Sequence, residues 1–306
     1  MFVPNFNFVK YFRLATFASG LAMLICLGSM VVQGFNLGIE FTGGVNIEAR
    51  YPAPPDIEAI RAQLAEGGFE SPIVQSVGGN DVLIRLPPVG EESESGDTEA
   101  DARDKVLDIL GRDVQIRDAS TVFPQVGREL TEQGGLALMF ALIMVFIYVM
   151  LRFRWKLALG AIVATVHDVV ITMGVFSLFK LPFDLNVLGS ILAVLGYSLN
   201  DTIVIYDRIR DNFKLVRRGT PESIVNLSVN QTLARTFVTG VTTLLVLTAM
   251  MFLAGDTLWG FAFALIVGII VGTYSSIYVA SAMALWLKIV PADFMPPKQE
   301  QVDELP

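Results

Sequence analysis

The sequence predicts an α-helical polytopic membrane protein with six transmembrane helices and one inserted α+β domain. Of its 306 residues, 53% are hydrophobic and only 17% are charged, which is too apolar for a soluble domain of this length. Long apolar runs recur along the chain, and a bilayer core needs about 20 such residues per helix. Residues 36–133 instead show the alternating pattern of a soluble domain.

Six stretches are long enough to span a membrane: 14–35, 134–151, 157–179, 185–207, 236–254 and 258–287. Lys10 and Arg13 precede the first, as in a signal peptide, but its apolar run is longer and no small-residue cleavage motif follows. We interpret it as an uncleaved span. Cys26, the single cysteine, excludes an intrachain disulfide, and Gly268 and Gly272 in the last span predict a close-packing surface.

Basic residues in the short loops predict the orientation. Arg152, Arg154 and Lys156 lie between the second and third spans, whereas the next loop holds only Lys180. Both termini are therefore predicted to be cytoplasmic. The predicted domains are residues 1–35 (N-terminus and first span), 36–133 (periplasmic domain), 134–290 (remaining spans) and 291–306 (cytoplasmic tail).

The exported region holds 19 of the 30 acidic residues and 8 of the 22 basic ones. Strands are predicted at 45–51, 71–77, 81–87 and 114–122, and helices at 54–68 and 100–111. The order β-α-β-β-α-β is that of a ferredoxin-like fold. The acidic segment 91–101 lacks the ligand spacing of a calcium loop, and we interpret it as a solvated loop.

Asp201 lies inside the fourth predicted span, where a carboxylate costs about 2.5–3.5 kcal/mol near the bilayer centre. Such a residue normally has a function or a partner. Tyr197 stands four residues before it and shares its helix face. Asn200 adjoins it, and Asp207 marks the predicted aqueous boundary.

Arg235, Thr239 and Thr242 form a polar stripe at the start of the fifth predicted span. Asp201 is six residues inside the boundary, or roughly 9 Å at 1.5 Å per residue, and an inward-pointing Arg235 reaches that depth. A snorkelling arginine without function is the alternative.

His167 and Asp168 interrupt the third span. The histidine suits a proton relay, but a structural hydrogen bond inside the bundle explains it equally well. Asp168 is predicted either to act in the relay or to bond a threonine on a neighbouring helix.

Burial favours the neutral form of a carboxylate, and a nearby guanidinium favours the charged form. Movement of Arg235 relative to Asp201 would therefore switch the protonation state of Asp201. Sodium remains an alternative coupling ion, since a carboxylate with nearby hydroxyls can bind either a proton or Na⁺. The sequence contains no Walker-type loop, no Ser-His-Asp or metal-ligand cluster outside the membrane and no nucleic-acid-binding signature. We therefore expect a protein that is not an enzyme and has no cofactor beyond the coupling ion.

Five segments resemble the motifs of the SecF family of bacterial protein export: FNLGIEFTGG (35–44), VGREL (126–130), VHDVVIT (166–172), GYSLNDTIVIYDRIRDN (196–212) and NQTLARTFVTGVTTL (230–244). The resemblance covers essentially the whole chain. It identifies a turn motif after the first span, formed by Gly38, Phe41, Thr42, Gly43 and Gly44. Glu40 stands where the family more commonly has aspartate, which keeps the charge.

The resemblance implies a subunit of the bacterial inner membrane, of the resistance-nodulation-division type, that pairs with SecD and associates with the SecYEG channel. It implies that the proton gradient drives unfolded preproteins outward, with Asp201 and Arg235 as the coupling pair. Two alternatives remain: a structural scaffold without ion coupling, and half of a small-molecule or lipid exporter. The small exported domain leaves little room for the binding cavity of the latter.

Overall fold

The computed structural model describes residues 5–69, 72–87, 97–111, 114–216 and 219–294. Six helical segments within them are long and apolar enough to cross a membrane, which confirms the predicted fold class. The elements, in chain order, are α1 (Phe12–Val32), β1 (Asn36–Leu37), α2 (Ile39–Thr42), β2 (Gly44–Arg50), α3 (Ile57–Glu66), β3 (Ile73–Gly78), β4 (Asp81–Leu86), α4 (Asp97–Leu110), β5 (Gln115–Val122), α5 (Pro124–Arg152), α6 (Trp155–Leu178), β6 (Pro182–Phe183), α7 (Leu185–Leu215), α8 (Pro221–Leu253), α9 (Asp256–Ser275) and α10 (Ser281–Trp286). One π-helical turn, Ser276–Ala280, joins α9 to α10 within the sixth span.

Three membrane helices extend beyond their predicted ranges. α5 begins at Pro124, α7 ends at Leu215 and α8 begins at Pro221. The extensions are amphipathic, with an apolar face that packs in the core: Phe213 of α7 and Ile224 of α8 belong to the same buried cluster. A hydropathy window finds the membrane-crossing part of such a helix and misses the part that continues into water.

The domain inserted between α1 and α5 is a four-stranded antiparallel sheet with the strand order β3-β4-β2-β5. The predicted ferredoxin-like arrangement is confirmed, because α3 and α4 share one core with the strands: Leu64 and Val106 pack with Ile47 and Ile84. The side chain of Asp56 accepts hydrogen bonds from the first turn of α3 and so caps it.

The predicted acidic loop at 91–101 is only partly described. Residues 91–96 lie outside the described ranges, and from Asp97 onward the chain is helical. α4 thus begins before the predicted residue 100. The segment from Asp97 to Asp101 was assigned to a loop because its acidic composition hides the helix start.

Successive spans reverse direction, so the ends of α1, α6 and α8 lie beside the α+β domain, and α5, α7 and α10 end on the opposite side. The pairing of β1 with β6 fixes this arrangement, since these strands follow α1 and α6. The backbone N–H of Gly38 continues the pairing with a hydrogen bond of 2.8 Å to the carbonyl of Phe183.

The interface of α7 and α9 is as close as the glycine spacing predicts. A Cβ at Gly268 would lie 2.2 Å from Val194 Cγ2, and one at Gly272 would lie 3.0 Å from Ser198 Cβ. Both glycines therefore allow the backbones to approach. This contact brings the serines of the two helices level with the polar residues of α6.

Candidate functional site

Asp168 is the centre of a polar cluster that joins three spans. Its carboxylate is completely buried in α6. One oxygen, Oδ2, accepts hydrogen bonds from Ser198 of α7 and, at 2.7 Å, from Ser275 of α9. The other, Oδ1, lies 2.9 Å from His167 Nδ1. The partners are serines, and not the threonine that was predicted. Because Oδ2 accepts from serines of two other helices, Asp168 joins α6, α7 and α9.

The neighbouring threonines of α6 do not take part in these contacts. Thr165 donates to the carbonyl of Ala161 and Thr172 to that of Asp168, both within their own helix. A threonine hydroxyl that bonds one turn back is locally satisfied. These side chains are buried yet bridge no spans.

His167 has one nitrogen bonded and one without a partner. Its Nδ1 contacts Asp168, whereas Nε2 is buried and has no hydrogen-bond partner among the described residues. The ring stacks on Tyr274 with 6.5 Å between centroids, and the Tyr274 hydroxyl donates to the carbonyl of Ala15 at 2.8 Å. The carboxylate and the aromatic ring therefore fix the orientation of the imidazole.

Asp201 lies one helical turn beyond Ser198 on α7, and its surroundings differ from those of Asp168. The side chain is 2% exposed, and its Oδ2 has no hydrogen-bond partner among the described residues. The Tyr197 hydroxyl, one turn earlier on the same face, is likewise buried and unpartnered. A buried polar atom without a partner is costly, and an ionised one more so, unless a charge compensates it.

Arg235 supplies a charge near Asp201 without touching it. Its side chain is exposed on α8, and within the described ranges the two residues form no ion pair within 4.0 Å. The guanidinium is nevertheless close enough to interact electrostatically with the carboxylate. The sequence predicted an inward-pointing Arg235 that meets Asp201. The side chain is exposed instead, because the rotation of α8 turns it outward, and the contact is not formed.

The other polar residues predicted near this pair do not connect helices. The hydroxyl of Thr239 donates to the carbonyl of Arg235 at 3.0 Å, and that of Thr242 donates to Val238 at 2.8 Å, both within α8. Asn200 is exposed on the opposite side of α7 from the buried residues. The structure therefore places Asp201 and Tyr197 on one face of α7, with Arg235 nearby, whereas Thr239, Thr242 and Asn200 are not part of this group.

The π-helical turn of the sixth span was not predicted. Thr202 and Ser276 bond through their hydroxyls at 2.8 Å, and the Tyr206 hydroxyl donates to the carbonyl of Ala280 at 2.9 Å. The turn thus offers backbone and serine groups to α7 directly beside Asp201. Such turns are frequent at functional sites. The serine pair Ser275-Ser276 in an apolar span was the available signal.

The glycine-rich turn after α1 joins the α+β domain to the membrane helices. Gly43 and Gly44 have φ values of 77° and 137°, which side-chain-bearing residues rarely adopt. A Cβ at Gly44 would lie 2.3 Å from the Leu86 carbonyl oxygen of β4. Both glycines are required for the chain to pass from α2 into the sheet.

Three further residues of this turn hold it against its neighbours. Phe41 is buried with its ring 6.1 Å from that of Phe183, and the Thr42 hydroxyl closes the turn on Gly38. On the other side, Gly127 of α5 lies against the turn, and a Cβ there would lie 2.8 Å from the Phe41 carbonyl oxygen. The motif therefore fixes how the sheet, α5 and the β6 segment meet.

The described residues contain no group of three or more His, Cys, Asp or Glu side chains placed to hold a metal ion. The groups able to do chemistry are two intramembrane carboxylates, one imidazole and one nearby guanidinium. Together they suit the movement of a proton or small cation across a helix interface.

Comparison with known proteins places this fold and site in a class. Residues 103–290 match the family described as protein export membrane protein SecD/SecF, C-terminal, and residues 28–51 match the SecD/SecF GG motif. The first match covers three membrane-domain motifs, including Asp168, Asp201 and Arg235. The glycine-rich turn lies within the second.

The similar curated proteins are SecF subunits. The protein translocase subunit SecF of Pseudomonas aeruginosa is 44% identical, over 99% of this chain and 99% of its own. SecF of Haemophilus influenzae is 43% identical over 99% of this chain and 93% of its own. The chain therefore belongs to the SecF family of protein translocase subunits.

Solved structures agree with this assignment. The crystal structure of SecDF from Thermus thermophilus, a translocon-associated membrane protein, matches with a TM-score of 0.83 and 37% identity over 94% of this chain. SecDF in a Super-membrane-facing form matches over the same 94% with a TM-score of 0.70. The chain spans 39% of the length of each SecDF chain.

Proposed function

We propose that this chain is the SecF half of a SecD–SecF transporter that uses the proton gradient to drive preproteins out of the cell. The single observation that carries the proposal is the pair formed by a buried Asp201, whose Oδ2 has no hydrogen-bond partner in the described part of the chain, and a nearby Arg235 that does not contact it. A carboxylate in this position is neutral at low cost and charged at high cost until a cation approaches.

The coupling step is a change in the distance between α7 and α8. When Arg235 swings toward Asp201, the guanidinium stabilises the carboxylate and releases its proton. When it moves away, the carboxylate takes up a proton from the other side of the membrane. One charge crossing 100 mV releases about 2.3 kcal/mol, which is enough to shift a two-state equilibrium about fifty-fold.

The outer surface of α8 supports a SecD partner. Arg235 is surrounded there by exposed apolar side chains, among them Phe237 at 66% and Val238 at 60%. An arginine on such a face needs a polar partner or water inside the membrane. SecDF, which this chain matches, is more than twice as long. We propose that a SecD partner corresponds to the rest of that length and supplies a helix bundle that packs against α8.

The proposal includes a movement of the α+β domain relative to the spans. The two SecDF structures match the same 94% of this chain at 37% identity with TM-scores of 0.83 and 0.70, so the matched part of SecDF adopts more than one conformation. In this chain the glycine-rich turn is the joint that would transmit such a movement. The SecYEG channel and an unfolded preprotein are the other proposed partners.

The proposed location is the bacterial inner membrane, with both termini cytoplasmic and the α+β domain periplasmic. The basic residues of the loops support it: Arg152, Arg154 and Lys156 lie at the end of the membrane domain opposite the α+β domain. No catalytic step is proposed. The chain acts through ion movement and shape change.

The proposal is tested in vesicles that carry SecYEG, SecD and this chain, with a preprotein whose export is followed with and without a proton gradient. We expect Asp201→Asn to remove the gradient-dependent increment and to leave gradient-independent export unchanged. Asp201→Glu, which keeps the carboxyl group, serves as the matched control and retains part of the increment. Full gradient-dependent export by Asp201→Asn would falsify the mechanism.

A scaffold without ion coupling is the second candidate, and the fully bonded Asp168 favours it. It predicts that Asp201→Asn weakens co-purification with SecD to the same extent as it weakens export. Normal co-purification combined with lost gradient dependence distinguishes coupling from scaffolding. The small-molecule exporter gains no support, because the relatives are protein translocase subunits.

A further inference from the structure

A basic cavity lies at the end of the membrane domain opposite the α+β domain. It has a volume of about 500 Å³ and is formed where α5 meets α6, by the end of α7 and by the segment after α10. Its lining includes four basic side chains, Arg152, Arg154, Arg210 and Lys214, and one acidic side chain, Asp293. A volume of this size is typical of ligand-binding clefts.

Two of the charges in the lining are already compensated. Arg152 donates to both oxygens of Asp207, with a closest distance of 2.7 Å. Asp293 accepts a hydrogen bond from Lys156 at 2.8 Å. Burial alone would raise the pKa of the Asp293 carboxyl, but this bond, the Val290 N–H and the charges of Lys156 and Arg154 hold it below its ordinary value. The carboxylate therefore stays ionised and matched by lysine.

The remaining three cations of the lining form no ion pair within the described ranges: Arg154, Arg210 and Lys214 have no carboxylate within 4.0 Å. Arg154 acts on Asp293 through its charge alone. Arg210 Nε is buried and has no hydrogen-bond partner among the described residues. Arg154 and Lys214 are exposed and Arg210 is partly buried. Basic groups that line one cavity without an ion-paired carboxylate are suited to an anion with several acceptor oxygens, such as a phosphate.

The cavity also has an apolar side that opens to the lipid-facing surface. Phe153 and Leu157 form its buried floor, and Leu151, on the outer face of α5, is 84% exposed. Trp155, next to Arg154, is 56% exposed, and Trp286 at the same end is 77% exposed. Tryptophans of this kind lie at the headgroup level of a membrane, which places the cavity there.

We infer that this cavity binds the phosphodiester headgroup of an anionic lipid, with Arg154, Arg210 and Lys214 around the phosphate and the apolar floor under the glycerol. Basic pockets between the ends of transmembrane helices are suited to such headgroups. The lipid would hold the loop between α5 and α6 against the end of α7. This inference depends on the geometry of the cavity and not on ion coupling through Asp201.

The test uses the full chain, purified in detergent, with thermal unfolding measured against added dioleoyl phosphatidylglycerol. The zwitterionic phosphatidylcholine with the same acyl chains and inorganic phosphate are the comparison ligands. We expect phosphatidylglycerol alone to raise the melting temperature. The double variant Arg154→Gln/Arg210→Gln should need roughly 25-fold more of it, or about fivefold for each charge removed.

The matched control is Lys10→Gln/Arg13→Gln, which removes two exposed charges at the same end of the membrane domain and outside the cavity. It should bind phosphatidylglycerol as the wild-type chain does. If the first double variant fails to fold, Lys214→Gln replaces it, since Lys214 is exposed and its loss should weaken binding about fivefold.

Three results would overturn the inference. The first is equal stabilisation by phosphatidylglycerol and phosphatidylcholine, which would mean that charge is not recognised. The second is equal weakening of binding in the cavity variant and in the control. The third is stabilisation by inorganic phosphate as strong as that by the lipid, which would identify a soluble anion as the occupant.

Discussion

Asp168 and Asp201 are two buried carboxylates on adjacent helices, and their surroundings are opposite. Asp168 is bonded through both oxygens by serines and a histidine. Asp201 has a buried oxygen without a partner and a cation that is near but not in contact. A carboxylate whose two oxygens are both hydrogen-bonded is held in place by these bonds, whereas one whose counter-ion can move is able to respond to that movement. The contrast separates a residue that joins helices from the residue that we propose couples proton movement to transport.

The largest effect that sharpens this contrast is expected for Arg235→Gln. Without the guanidinium, nothing on α8 stabilises the ionised form of Asp201, so the gradient-dependent part of export should fall about tenfold or more. Arg235→Lys keeps the charge, and its gradient-dependent export should lie between that of the wild-type chain and that of Arg235→Gln. Export by vesicles with and without a proton gradient measures the effect.

The control for Arg235 comes from the same helix. Thr239→Val and Thr242→Val remove hydroxyls that bond only the carbonyls of α8, and export should stay close to that of the wild-type chain. If these variants lost as much export as Arg235→Gln, the whole polar stripe would matter and the guanidinium would have no special role.

A smaller effect, of a different kind, is expected for Asp168→Asn. The change replaces one of the two acceptor oxygens with an NH2 group, so either the serine pair Ser198 and Ser275 or His167 loses its oxygen partner, which should lower the free energy of unfolding by about 1–3 kcal/mol. Thermal unfolding in detergent measures the loss. The fold increase of export caused by the gradient, per folded molecule, should not change.

Asp168→Asn would contradict the contrast if it abolished gradient dependence while the melting temperature stayed constant. Ser275→Ala is the matched variant, because it removes one partner and leaves the carboxylate in place. It should destabilise less than Asp168→Asn and should also leave the gradient dependence unaltered.

The smallest effect concerns a carboxylate in water. Arg50 donates two hydrogen bonds of 2.6 Å to Asp81, and these bonds, with the charges of Arg117 and Arg50, outweigh its partial desolvation and hold the pKa of that carboxyl below its ordinary value. The stabilisation is present above the ordinary pKa of aspartate and is lost as the pH falls through the lowered value. Asp81→Asn should therefore slightly increase hydrogen exchange in β2 and β4 at neutral pH and leave it unchanged in acid.

The sequence predicted the six spans, the ferredoxin-like domain and a carboxylate buried within a span, because each has a local signal. Apolar length identifies a span, and a carboxylate in hydrocarbon is conspicuous. The partners of Asp168 were not predictable, since Ser198 and Ser275 are brought to it by the packing of α7 on α9 at Gly272. The long extension of α8 was missed because its first turns alternate polar and apolar residues.

The position of Arg235 shows the same limit. Residue counting at 1.5 Å per residue gives the depth of Asp201, and an inward-pointing Arg235 was predicted to reach the same depth. The direction of its side chain depends on the rotation of α8 against α7, which only the tertiary structure defines. The exposed rotation observed here is what makes a movable counter-ion physically reasonable.

The most direct test of the coupling account is infrared spectroscopy of the full chain in lipid, with the wild-type spectrum compared with that of Asp201→Asn as the pH is varied. The account predicts that the carbonyl band of a protonated carboxyl, assigned to Asp201 by its loss in the variant, is present at low pH and gives way to the carboxylate bands within the physiological range. An Asp201 that keeps one ionisation state throughout, in every conformation sampled, would contradict it.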